Sequence, residues 1–158
     1  MNDMKFEIWA DSFHEGEWCC DNLSKVAQKK GFNCRKEYEK GFLPKYYYEN
    51  SSVKIEIEVY GSYDAWKDVP KEIRELIQWG KPDFIAYAVE KKHIVFAVEE
   101  TSATMTGNQP LQRCERQYGS AIHQIPYWYL VSEYGVHLDG GTRRDSIWPS
   151  ISAFKLSN

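Results

Sequence analysis

KPDFIAYAVEKKHIVFAVEETSATMTGNQPLQR, residues 81–113, holds two β-rich runs, 83–89 and 93–98, joined only by Glu90-Lys91-Lys92. A connection that short makes them an antiparallel hairpin. In such a pair the start of one strand lies beside the end of the next, so Asp83, just after Pro82, is expected to meet Glu99 and Glu100 at one rim of the sheet. Hard carboxylate oxygens gathered at a sheet edge suit Mg²⁺ or Mn²⁺. The period of two separates the glutamates: Glu99 shares a face with Val95, Ala97 and Thr101, whereas Glu100 follows Ile94, Phe96 and Val98. Glu99 is therefore the favoured partner of Asp83, with Glu100 the alternative.

Working outward, residues 102–110 are small and polar and include Gly107-Asn108, which reads as a loop. A helix is expected from Pro110, with Leu111, Cys114, Tyr118 and Ala121 or Ile122 on its apolar face. Gln109, Arg113, Arg116 or Gln117, and Ser120 lie opposite, and Gln112 adjoins them. IPYWYLV, residues 125–131, reads as a fully buried aromatic strand. Upstream, residues 16–30 form an amphipathic helix with Cys19, Leu23, Val26 and Ala27 at helical spacing and Gly31 as its stop. Val53, Ile55, Ile57 and Val59 alternate with charged residues as a half-buried strand. Pro70 opens a helix striped by Ile73, Leu76 and Ile77 that ends near Gly80. Helix, strand, helix, hairpin, helix, strand is the order of an α/β fold, a mixed central sheet with helices on both faces.

At 158 residues the chain suits one domain, residues 1–158. Apolar residues at 42% and aromatics at 15% exclude a disordered or collagen-like chain. A net charge of −3 makes whole-molecule attraction to nucleic acid weak. Such contact has to come from a local cationic patch or a bound metal. The four cysteines show no metal or disulfide spacing and are expected to be reduced thiols. MNDMKFEIWADSF carries acidic residues and no long apolar run, so neither a signal peptide nor a membrane partner is expected, and the cytoplasm is the expected location.

Pro82-Asp83, the hairpin, an acidic residue with a partner two positions on, and the following helix together resemble the PD-(D/E)XK nuclease superfamily, the fold of many restriction endonucleases. GEWCCDNLSKVAQKKGFNCRKEY is similar to the first helix of such enzymes, and the resemblance spans residues 17–129. It implies a divalent-metal-dependent DNA endonuclease of the restriction type, using Mg²⁺ or Mn²⁺. Asp83 and Glu99 would be metal ligands and Glu17 an auxiliary one. Thr101 stands where the family carries the lysine that orients the attacking water, and Arg113, beside Gln112, is expected to return the missing positive charge. Gln109 and Arg116 are expected to meet nucleic acid, as are Arg143 and Arg144 in the cationic run Gly140-Gly141-Thr142-Arg143-Arg144. With no evident target-recognition module, the chain is expected to dimerise or to be the nuclease part of a larger protein.

Thr101 also motivates a second expectation, a non-catalytic nucleic-acid-binding or assembly module that retains the fold. A third is a repair or RNA nuclease of the same fold. Tyr46-Tyr47-Tyr48 and Tyr127-Trp128-Tyr129 are read as core packing rather than as platforms for bases.

Overall fold

The N-terminal run NDMKFEIWA forms a strand, β1 (Asn2–Ala10), and takes the centre of the sheet. Its last residues are buried on both sides: Ile8 and Ala10 belong to one core cluster and Trp9 to the other. The computed structural model describes residues 2–101 and 109–131. The remaining elements are α1 (Phe13–Lys29), β2 (Asn33–Glu39), β3 (Leu43–Glu49), β4 (Val53–Gly61), α2 (Lys71–Leu76), β5 (Phe84–Ala88), β6 (His93–Thr101), α3 (Gln109–Ile122) and β7 (Tyr127–Val131). Single 3₁₀ turns at Tyr63–Ala65 and Ile77–Trp79 flank α2.

The sheet runs β2-β3-β4-β1-β5-β6-β7. Pairing is antiparallel except for β1 with β4 and β6 with β7, so the sheet is mixed, as expected. The expected hairpin is β5–β6, with one irregularity: Ala86 pairs with Phe96 but Tyr87 with Ile94. The extra residue, Val95, breaks the strict alternation, and Ile94 joins Ala97 in one core cluster while Phe96 packs with Val98 in the other. Beyond the bulge the alternation holds and places Glu99 with Ala97 and Glu100 with Val98.

Helix α1 covers one face. Ser12 opens it with a capping box, its Oγ accepting from the Glu15 N–H and Glu15 Oε2 accepting from the Ser12 N–H. Gly16 lies so close to β4 that an added Cβ would stand 2.4 Å from Val59 Cγ1. Tyr48 donates to the Cys20 carbonyl at 3.0 Å, and Tyr46 to Asp21 Oδ1 at 2.7 Å. These two tyrosines are core residues, as expected. The helix differs from expectation in its start and in its buried stripe, which runs through Phe13, Gly16, Cys20 and Ala27. Leu23 and Val26, expected inside, are exposed.

On the opposite face α2 begins after Pro70 and buries Ile73 and Leu76 fully, which stabilises by about 1.5–3 kcal/mol per side chain. Strand β7 differs from the fully buried strand expected: Trp128 is 53% and Leu130 41% exposed. It is the last strand at its side of the sheet among the described residues, and Trp128 stacks on Phe96 at 4.6 Å. No helix among the described residues is long and apolar enough to cross a membrane.

Candidate active site at the rim of the hairpin

Asp83 is fixed by its backbone before its side chain is considered. Its carbonyl accepts from the Asp11 N–H at 3.0 Å, tying it to the end of β1. The hydroxyl of buried Tyr63 lies 2.9 Å from the Pro82 carbonyl and 3.1 Å from that of Trp9, sharing its proton between them. Across the hairpin the Glu100 N–H donates to Asp83 Oδ2. The start of β5 and the end of β6 therefore meet as the hairpin argument requires. Burial raises the Asp83 carboxyl above its usual range, against the Glu100 N–H and the charges of Arg116 and Arg113.

Glu99 points to the α3 face, and its side chain is 1% exposed. Arg113 Nε lies 3.0 Å from Oε1, and Arg116 Nη1 lies 2.6 Å from both Oε1 and Oε2. Burial and the charge of Asp83 push the Glu99 carboxyl up to about 7, with the two guanidiniums pulling the other way. A buried carboxylate is tolerated only when paired, and α3 supplies the pairs. The helix is docked by close contact, since a Cβ on Gly119 would fall 2.4 Å from Trp79 Cβ. Tyr118 packs edge-on against the same Trp79 at 5.4 Å. The polar side of α3 thus turns inward: Ser120 is fully buried, while Tyr118 and Ile122, expected on the buried face, are 39% and 46% exposed.

Three further polar atoms belong to this region. Arg113 Nη1, Gln117 Oε1 and Tyr127 OH are buried and have no hydrogen-bond partner among the described residues. The Tyr127 hydroxyl is pushed well above its usual range by burial and then by the charge of Glu99, with Arg116 opposing.

Glu100 faces the other way. With His14, Glu15, Trp18, Asp83 and Phe84 it lines a pocket of about 230 Å³ on the α1 side. The α1 carboxylate in that pocket is Glu15, also engaged in the helix cap. Glu17, expected as the auxiliary ligand, instead binds Lys36 Nζ at 3.0 Å and the Tyr38 hydroxyl at 2.8 Å and does not line the pocket. Asp83, Glu99, Arg113 and Arg116 are brought together. The side chains of Thr101, Gln109 and Gln112, and the whole of Arg143 and Arg144, lie outside the described residues. Sequence reasoning places Gln117 on the polar face of the helix beside Arg113 but gives it no role in the site, and it reads Tyr127 as core packing.

The donor set expected for Mg²⁺ or Mn²⁺ does not fit a cation in this arrangement. Both oxygens of Glu99 carry a guanidinium, so a divalent ion there would face two like charges at close range. Among the described residues no three carboxylate, imidazole or thiol groups converge to hold a metal. Compared with family models, curated proteins and solved structures, the chain matches none.

Proposed function

We propose that this chain is a DNA endonuclease of the restriction-endonuclease-like fold that hydrolyses phosphodiester bonds at the Asp83 rim. The supporting observation is the meeting of Asp83, at the start of β5, with the Glu99–Arg113–Arg116 cluster at the end of β6. Phosphodiester hydrolysis needs cationic donors for the charge growing on the phosphate oxygens and a base near the attacking water. Arg113 and Arg116 supply the first, with Arg113 doing the work the family gives to lysine. Asp83, with its carboxyl raised by burial, is the proton acceptor. Mg²⁺ or Mn²⁺ dependence is carried by the resemblance alone.

Supercoiled, linear and single-stranded DNA incubated with Mg²⁺, with Mn²⁺ and with EDTA test the reading directly. Wild-type chain is expected to cut, and Asp83→Asn and Arg113→Ala to lose at least a hundredfold in rate. Equal cutting by Asp83→Asn and wild type would remove Asp83 from the site. Cutting of RNA alone would move the reading to the RNA nuclease.

The closure of both Glu99 oxygens also favours a second reading, a nucleic-acid-binding module without catalysis. Retention of DNA with no cleavage under any of the three metal conditions is its expected result. As an endonuclease that cuts both strands, the chain is proposed to act as a homodimer or alongside further domains.

A further inference from the structure

The expectation that Glu99 holds a cation conflicts with its surroundings, and the orphaned atoms around it suggest what it does instead. A guanidinium carries five N–H donors in a flat fork. Arg113 meets Glu99 through Nε, leaving its Nη end for another partner, and Nη1 is buried without one among the described residues. Arg116 meets both Glu99 oxygens through Nη1 alone. The Tyr127 hydroxyl is orphaned in the same way. The parallel register Ala97↔Tyr127 and Glu99↔Tyr129 sets it on the strand beside Glu99. Gln117, one helical turn after Arg113 on the same helix, carries a third orphaned atom, an amide oxygen that becomes an N–H donor if the amide is turned over. A desolvated polar group left unpaired is costly, so two such atoms beside one carboxylate, Arg113 Nη1 and the Tyr127 hydroxyl, mark polar groups still to be partnered.

The character of a guest follows from the groups present. Glu99 and Asp83 together balance the two guanidiniums, so selection of an anion rests not on net charge but on the unspent N–H donors of the guanidiniums, with Asp83 lining the pocket on the α1 side. Exposure decides which groups the guest touches: Glu99 is sealed at 1%, whereas the Arg113 and Arg116 side chains are 23% and 28% exposed. We propose that Glu99 is not a metal ligand but the positioning residue of a two-arginine clamp that grips the nonbridging oxygens of a DNA phosphodiester. This rests on the nuclease reading only for the identity of the anion. Paired oxygens on a phosphodiester match the guanidinium fork, and a carboxylate behind the fork holds its orientation before the DNA arrives.

The test measures binding of fluorescein-labelled duplex DNA by anisotropy in EDTA across a series of KCl concentrations. Arg113→Ala and Arg116→Ala are each expected to lower the slope of log affinity against log salt by about 1. Arg113→Lys keeps the slope but weakens binding, because the charge survives and the fork does not. Slopes equal to wild type in both alanine variants overturn the clamp, as does an absence of DNA binding by the wild-type chain. Manganese binding, read by electron paramagnetic resonance, checks the role of Glu99: unchanged Mn²⁺ binding in Glu99→Gln supports it, and loss confined to that variant overturns it. Cleavage of the same duplex in Mg²⁺ separates the two proposals. Altered slopes without cleavage leave the clamp standing and remove the nuclease; cleavage with unaltered slopes does the reverse.

Discussion

At Glu99 two opposing effects meet on one carboxyl. Removal from water favours the neutral acid, two guanidiniums favour the anion, and the balance lies at about 7 against an ordinary value of 4.5. Raising a carboxyl on folding means that the folded chain holds more protons than the unfolded one between those values. The associated stabilisation is complete below about 4.5 and disappears as pH rises through about 7. Relative to Glu99→Gln, which has no such proton, wild-type unfolding free energy is expected to fall by about 3 kcal/mol over that window. Urea unfolding at a series of pH values measures it. The absolute stabilities will differ because glutamine leaves the arginines without an anion, so the difference in slope is the readout. Parallel curves would mean that the guanidiniums hold Glu99 ionised throughout.

For the elements, the decisive contact is the seat of α3 on the turn after α2. Gly119 meets Trp79 with no space for a methyl group. Gly119→Ala is expected to destabilise the chain by about 1–3 kcal/mol through overpacking, and to weaken DNA binding because Arg116 lies one turn earlier on the same helix. Thermal unfolding and anisotropy measure the two effects; a variant with wild-type stability would show that α3 adjusts its seat freely. The same helix shows where reading by polarity stops working. Its face with Arg113, Arg116, Gln117 and Ser120 has the composition of a solvated surface, yet it is turned inward because the buried Glu99 carboxylate requires the two arginines. The hairpin was legible, since short apolar runs and a three-residue polar turn leave one arrangement. Its bulge at Val95 was not, because a bulge changes register without changing composition. On α1, Ser12 and Glu15 carry a legible capping box three residues apart, one turn before the start read from apolar spacing.

Across the whole molecule, the sheet is centred on the strand least visible in the sequence. Strand β1 lacks clean alternation at Ile8-Trp9-Ala10 because both of its faces are covered; β3 does bury alternate residues, but Tyr46-Tyr47-Tyr48 puts the same residue type on both faces and hides the alternation. Strand β2 lies at the other end of the sheet and shows mostly charged residues. The strands whose residue types alternate or form the hairpin were therefore read, and those buried on both faces, exposed on both or uniform in residue type were missed. This placement has an energetic consequence. Strand β1 joins β4 along Asn2↔Val53 to Ala10↔Gly61 and β5 along Phe6↔Ala88 to Ala10↔Phe84, so the two halves of the sheet meet through it. Opening β1 breaks two ladders and separates both core clusters, whereas β2 and β7 each pair with a single strand among the described residues. In native-state hydrogen exchange, the amides of Ile8, Trp9 and Ala10 are expected to exchange only through global unfolding, with a denaturant dependence equal to that of the whole chain. Those of β2 and β7 are expected to exchange through local opening with little such dependence. If the β1 amides exchanged as readily as those of β7, the β2–β4 half would be opening independently of the hairpin. Asp83, tied to β1 through the Asp11 N–H, would then lose one of its fixed supports without unfolding of the site.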